Sequence, residues 1–273
     1  MDSKRLKEIT GEYKKYLNLE GFPVGVKMIE DVAMLDEIYY KGKPVRVLKK
    51  SLLVCQLISQ ARFYGRVIAG LGENLNLCRL GGDAMGFDVD DYTHVYAGTY
   101  FSSKEAARRM IEGMPKFEKG KYQGMLVGPL DRIPVDPDVV VVYGNVAQML
   151  RIINGFVFDT GDRLEFSTSG DAGLCSDTVV IPKMTQKPHL AIPCNGGRLM
   201  SLPNQTEMAC GIPFEEIEHI LEGIKFTGKN VPVMYPAAWQ HIDWEPPADA
   251  PIRAFVRPES FGGEKNNPSI LKR

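Results

Sequence analysis

The stretch SLLVCQLISQARFYG at residues 51–65, followed by RVIAGLGENLNLC at 66–78, sets out a unit of four parts: an apolar helix, a terminating glycine, a strand and a lone cysteine. In the helix Leu53, Leu57, Ala61 and Tyr64 form an apolar face, while Cys55, Ser59, Arg62 and Arg66 fall on an adjoining one. Ser51 suits the cap, and Gly65 the left-handed exit that only glycine adopts without penalty. The same order recurs in NVAQMLRIING at 145–155 and FVFDTGDRLEFSTSGDAGLC at 156–175. On this reading Cys78 and Cys175 are equivalent, and activity belongs where the two copies meet. A second register pairs Cys194 with Cys78, because CNGGRLMSL resembles CRLGGDAMGF; the first is preferred for keeping helix, glycine and strand in order.

Farther out, KEAARRMIEGMPKFEKGK at 104–121 resembles FEEIEHILEGIKFTGK at 214–229, and periodicity alone would not repeat EG, KF and GK in sequence. Strands are expected where Val24, Val26 and Met28 alternate, in the valine run 139–142, and in HVYAGTYF (94–101), TVVIP (178–182), HLAIP (189–193) and MACGIP (208–213). The expected fold is α+β, two related βα-containing halves packed as one mixed-sheet unit. Its parts are a docking helix at 1–20, halves at 21–134 and 135–236, and a peripheral tail at 237–273 holding Trp239, His241 and Trp244.

Lysine plus arginine total 33 against 34 acids, so the net charge of -1 offers no footprint for nucleic acid or an anionic membrane. The amino terminus has charges throughout and no signal-like apolar run, and the most apolar segment, 138–158, contains Asn145, Gln148, Arg151 and Asn154. A cytoplasmic protein is expected. Five widely spaced cysteines, an odd number, argue for thiols or ligands rather than a disulfide framework.

Thiolates suit zinc and iron–sulfur clusters. No CxxC pair occurs, yet Cys78, Cys175 and Cys194 sit beside glycine-rich turns and Cys55 shares a face with Arg62. Cys55, Cys78, Cys175 and Cys194 are therefore the candidate metal ligands, and Cys210, in a strand-like segment, is assigned to packing. Arg62 and Arg198, with the amides of Gly196 and Gly197, are candidates for holding a small organic anion, either beside the metal or in a metal-free binding module. A thiol nucleophile would need a base such as His94 or His189. GxGxxG, Walker, HExxH and GxSxG spacings are all missing.

GFPVGVKM, CQLISQARFYG, the isolated Cys78 with its glycines, DVVVVYGNVAQMLRIING, SGDAGLC and CNGGR together resemble the family catalogued as domain of unknown function 169, across roughly residues 10 to 235. The resemblance implies a prokaryotic cytosolic protein, often of anaerobes, and brings no established reaction. Its recurrent positions map onto Cys55, Arg62, Gly65, Cys78, Cys175, Cys194 and Arg198.

Overall fold

Val139 to Val142 are all fully buried, because β-branched residues on a central strand pack on both faces of a sheet. In the computed structural model, which describes residues 2–228, this run lies in the middle of a six-stranded sheet. The strands are β1 (Val24–Ile29), β2 (Ile68–Leu71), β3 (Gly124–Pro129), β4 (Val139–Asn145), β5 (His189–Ala191) and β6 (Glu207–Pro213), in the order β2-β3-β1-β4-β6-β5. Register is set by pairs such as Val24↔Val141 and Val141↔Gly211. Val141 and Tyr143 enter one core; Val140 and Val142 enter the other.

The fold is α+β, but every neighbouring strand pair is antiparallel, so the mixed sheet does not form. A helical crossover does join β1 to β2, and these run in the same direction. The third strand of the set, β3, then inserts between them, as β6 inserts between β4 and β5. Each set of three visits the centre first, the edge second and the gap last.

The helices that matter for the site are α1 (Ser3–Leu17), α2 (Val54–Tyr64), α3 (Arg79–Ala84), α4 (Lys104–Gly113), α5 (Val146–Val157), α6 (Asn195–Met200) and α7 (Ile217–Gly228), with a π-helix at Gly173–Val180. Leu6, Ile9, Tyr13 and Leu17 form the buried stripe of α1 and share a core with α5 and α7, where Tyr13 Oη donates to the Ile217 carbonyl at 2.9 Å. On the opposite sheet face Leu57, Ile58 and Ala61 of α2 pack against Val26, Met28 and Met125. Each fully buried aliphatic side chain contributes about 1.5–3 kcal/mol. Cys210 is fully buried on the α1 side and is a core residue. Among the described residues no helix is long and apolar enough to cross a membrane.

Three expected strands are absent. HVYAGTYF forms a helical turn at Thr93–Tyr96, which lets Tyr92, Tyr96 and Tyr100 stack in series with centroids 5.9 and 5.4 Å apart. TVVIP lies in the π-helix and the short helix after it, where burial on all sides, not extension, accounts for its apolar run. The segment after α5 carries no strand before Cys175, and Gly155 lies inside α5 without ending it, so the preferred register of the repeat loses two of its parts. Cys78 and Cys175 also differ locally: one caps a helix and the other sits inside the π-helix. The tail with Trp239, His241 and Trp244 lies outside the described residues.

Candidate functional site

Cys55 is placed by α2, whose first turn is closed by Gln56 Oε1 accepting from the Leu53 amide at 3.0 Å and whose end is set by Gly65 at φ 62°. Cys78 is the N-cap of α3, and its Sγ accepts from the Gly81 amide at 3.4 Å. Cys194 repeats that geometry at the start of α6, accepting from the Gly197 amide at 3.4 Å. Sulfur here takes the role a serine or aspartate oxygen usually plays, satisfying one of the amides that every helix start leaves free.

Cys175 depends on a tighter device. Ala172 adopts φ 55°, and its carbonyl accepts from the amides of Cys175 at 3.2 Å, Ser176 at 2.8 Å and Asp177 at 3.3 Å. A left-handed non-glycine residue carries strain of about 1–2 kcal/mol. Gly173 beside it is obligatory: a methyl there would stand 2.2 Å from the Ile192 carbonyl oxygen.

Cys55, Cys78, Cys175 and Cys194 all line one cavity of about 80 Å³. Its wall also includes Leu53, Leu80, Gly81, Tyr96, Tyr100, Asp171, Gly196 and Gly197. A methyl group at Gly81 would be 3.7 Å from Cys78 Sγ and 3.8 Å from Cys175 Sγ, so these two sulfurs flank one point. The wall contains no lysine, arginine or histidine among the described residues. Among the described residues no group of three or more His, Cys, Asp or Glu side chains is placed to hold a metal ion. The thiols border a space without meeting at one point.

Burial pushes the Cys55 thiol up to about 12, and charge on Cys194 and Cys78 adds to the effect. Burial raises Cys175 well above its ordinary value, with Cys194, Cys78 and Cys55 contributing, and raises Cys78 as well. These thiols are protonated at neutral pH. Neither His94, which is exposed, nor His189, which accepts from the Ser167 amide at 3.3 Å, lines the cavity. A Cys–His nucleophile is therefore not assembled there.

The two arginines lie elsewhere. Arg62 is 2% exposed, ion-paired with Glu207 and stacked 4.1 Å above the Tyr143 ring centroid; it belongs to the core behind the cavity. Arg198 reaches the Gln205 carbonyl at 3.4 Å from the partly exposed side of α6. Gly196 and Gly197 do line the cavity, but without either guanidinium, so the expected anion site of arginines and amides does not form in it. Sequence reading missed Tyr96, Tyr100 and Asp171. The four-residue spacing of Tyr92, Tyr96 and Tyr100 was the available signal for the first two; for Asp171 it was a lone acid two residues before the glycine of the π-helix.

A family model for uncharacterised ArCR proteins, domain of unknown function 169, matches residues 13–223. The uncharacterized protein MJ0308 of Methanocaldococcus jannaschii is 25% identical over 231 residues, covering 82% of this chain and 96% of that protein. No solved structure matches. With most of its length matched in this way, the chain belongs to the DUF169 family.

Proposed function

We propose that the protein holds an iron–sulfur cluster on Cys55, Cys78, Cys175 and Cys194. One observation carries this reading: four thiols from separate parts of the chain line a single cavity that has no basic side chain among the described residues. Burial favours the neutral thiols, and a bound cation would draw them to the thiolates that ligate it. Cysteine thiolates are the usual ligands of such clusters, and amide donors to sulfur, as at Gly81 and Gly197, tune them. Zinc would need the thiols to converge on one tetrahedral point, whereas a polynuclear cluster needs them around a space. When bound, the cluster supplies a one-electron couple. The chain's own part is to hold the thiols, shield them behind Leu53, Leu80 and Leu174, and donate the two amide hydrogen bonds.

The reading extends to duplication in the second register. The strand order centre, edge, gap in both sets supports pairing Cys78 with Cys194, both helix caps, and Cys55 with Cys175. The cluster would then lie between two related halves, each giving two ligands. Anaerobic purification with iron, zinc and acid-labile sulfide analysis and a visible spectrum tests the proposal. A brown protein with iron and sulfide is expected; a colourless one without iron, its thiols intact, overturns it.

A further inference from the structure

Asp171 is 9% exposed, lines the thiol cavity, and its carboxylate has no hydrogen-bond or ion-pair partner among the described residues. Its backbone is pinned on both sides of the peptide: the amide donates to Ser169 Oγ at 3.3 Å, and the carbonyl accepts from that hydroxyl at 3.1 Å. The side chain is thus held at the wall by a turn that leaves its oxygens unused. Its oxygens are not sealed in the core but open onto the cavity, where an entering ligand can meet them.

The neighbouring wall is aromatic. Tyr96 and Tyr100 both line the cavity, with ring centroids 5.4 Å apart at a tilt of 34°. Tyr100 is 47% exposed, which puts it at the mouth. Aromatic faces attract cations, and a carboxylate adds direct charge attraction. An anion would meet Asp171 and four sulfur atoms with no compensating base.

We infer that Asp171, Tyr96 and Tyr100 form the recognition wall for a small organic cation, of the protonated or quaternary amine class, that enters the thiol cavity. The inference rests on this wall and competes with the metal reading, because a cluster on the four thiols would take up the same space of about 80 Å³; it also reverses the sign of ligand expected from the two arginines.

Calorimetric titration of the full-length protein, as purified, with tetramethylammonium chloride, tert-butanol and sodium acetate tests it. Saturable binding of tetramethylammonium is expected, with none of the neutral alcohol or acetate. Asp171→Asn should weaken binding by at least about tenfold, and Tyr100→Leu by a few-fold to about tenfold, consistent with loss of one cation–π contact. Tyr100 is exposed enough for its variant to keep the wild-type melting temperature, so the test survives if Asp171→Asn fails to fold. No saturable binding of the cation, equal binding of acetate, or an unchanged affinity in both variants overturns the inference. Metal analysis of the same samples separates the two readings: a metal-free protein that binds tetramethylammonium defeats the cluster alone, and a cluster-bearing protein that ignores it defeats this inference alone.

Discussion

Helix α2 buries two kinds of polar group two turns apart, and they meet opposite fates. Arg62, at its end, finds Glu207, the Tyr143 ring and the Phe63 ring, so its charge is balanced within the chain, although Nε and Nη1 have no hydrogen-bond partner among the described residues. Cys55, at its start, faces three more thiols and Asp171 with no balancing charge. The first arrangement is what a fold does with a buried ion that serves structure. The second gathers its groups around a shared space instead of pairing them. A buried polar residue is therefore informative through its partners more than through its burial.

The largest effect should come from breaking the balanced side. Removing one partner of a buried pair leaves the other uncompensated, at a cost of about 3–5 kcal/mol. Arg62→Ala and Glu207→Ala should each destabilise by that amount in denaturant unfolding, and by less when combined, because the orphaned charge is then gone. If the double variant lost the full sum, the pair would not be acting as a unit.

A smaller effect sharpens the contrast through a third buried group. Asp177, in the π-helix, has a buried oxygen without a partner, and burial raises its carboxyl to about 7. Its folded value lies above the unfolded one, so the unfolded chain releases this proton first. Stability falls as pH rises from about 4 to 7, by at most about 1.4 kcal/mol per unit. Asp177→Asn should remove that fall, gaining about 1–3 kcal/mol at pH 8 and little at pH 4. Thermal melts across this range check it; a wild-type stability that rises between pH 4 and 7 in step with the variant's would contradict it.

The smallest effect on stability should fall on the unbalanced side. The methyl of Gly81→Ala meets only ordinary contacts at 3.7 and 3.8 Å, and alanine is the better helix former by up to about 1 kcal/mol. The variant should melt at or slightly above the wild-type temperature. If the four thiols hold the proposed cluster, the variant should nevertheless contain less iron, because the methyl occupies the point that Cys78 and Cys175 flank. Undiminished iron content in a well-folded Gly81→Ala protein would place the ligand elsewhere.

Much of the scaffold is readable from residues. The α1 stripe, the strand around Val24, the valine run of β4 and the Gly65 terminator follow from periodicity and from glycine's backbone freedom, which act over a few neighbours. The cysteines at 55, 78, 175 and 194 stand out for their setting, beside glycines or on a polar helix face. TVVIP and HVYAGTYF misled because a β-branched or aromatic run signals burial and not the geometry in which it is buried.

The sequence by itself determined the longer amphipathic helices, the central strands and the set of thiols worth following, but not the short helices that Cys78 and Cys194 cap. Only the tertiary structure decided that the sheet is antiparallel throughout, since that depends on a third strand inserting between two that a helix had joined. It alone brought four distant thiols and Asp171 to one cavity and turned Arg62 away to Glu207. Partner choice among groups more than a hundred residues apart is settled by packing and desolvation, and no local pattern records it.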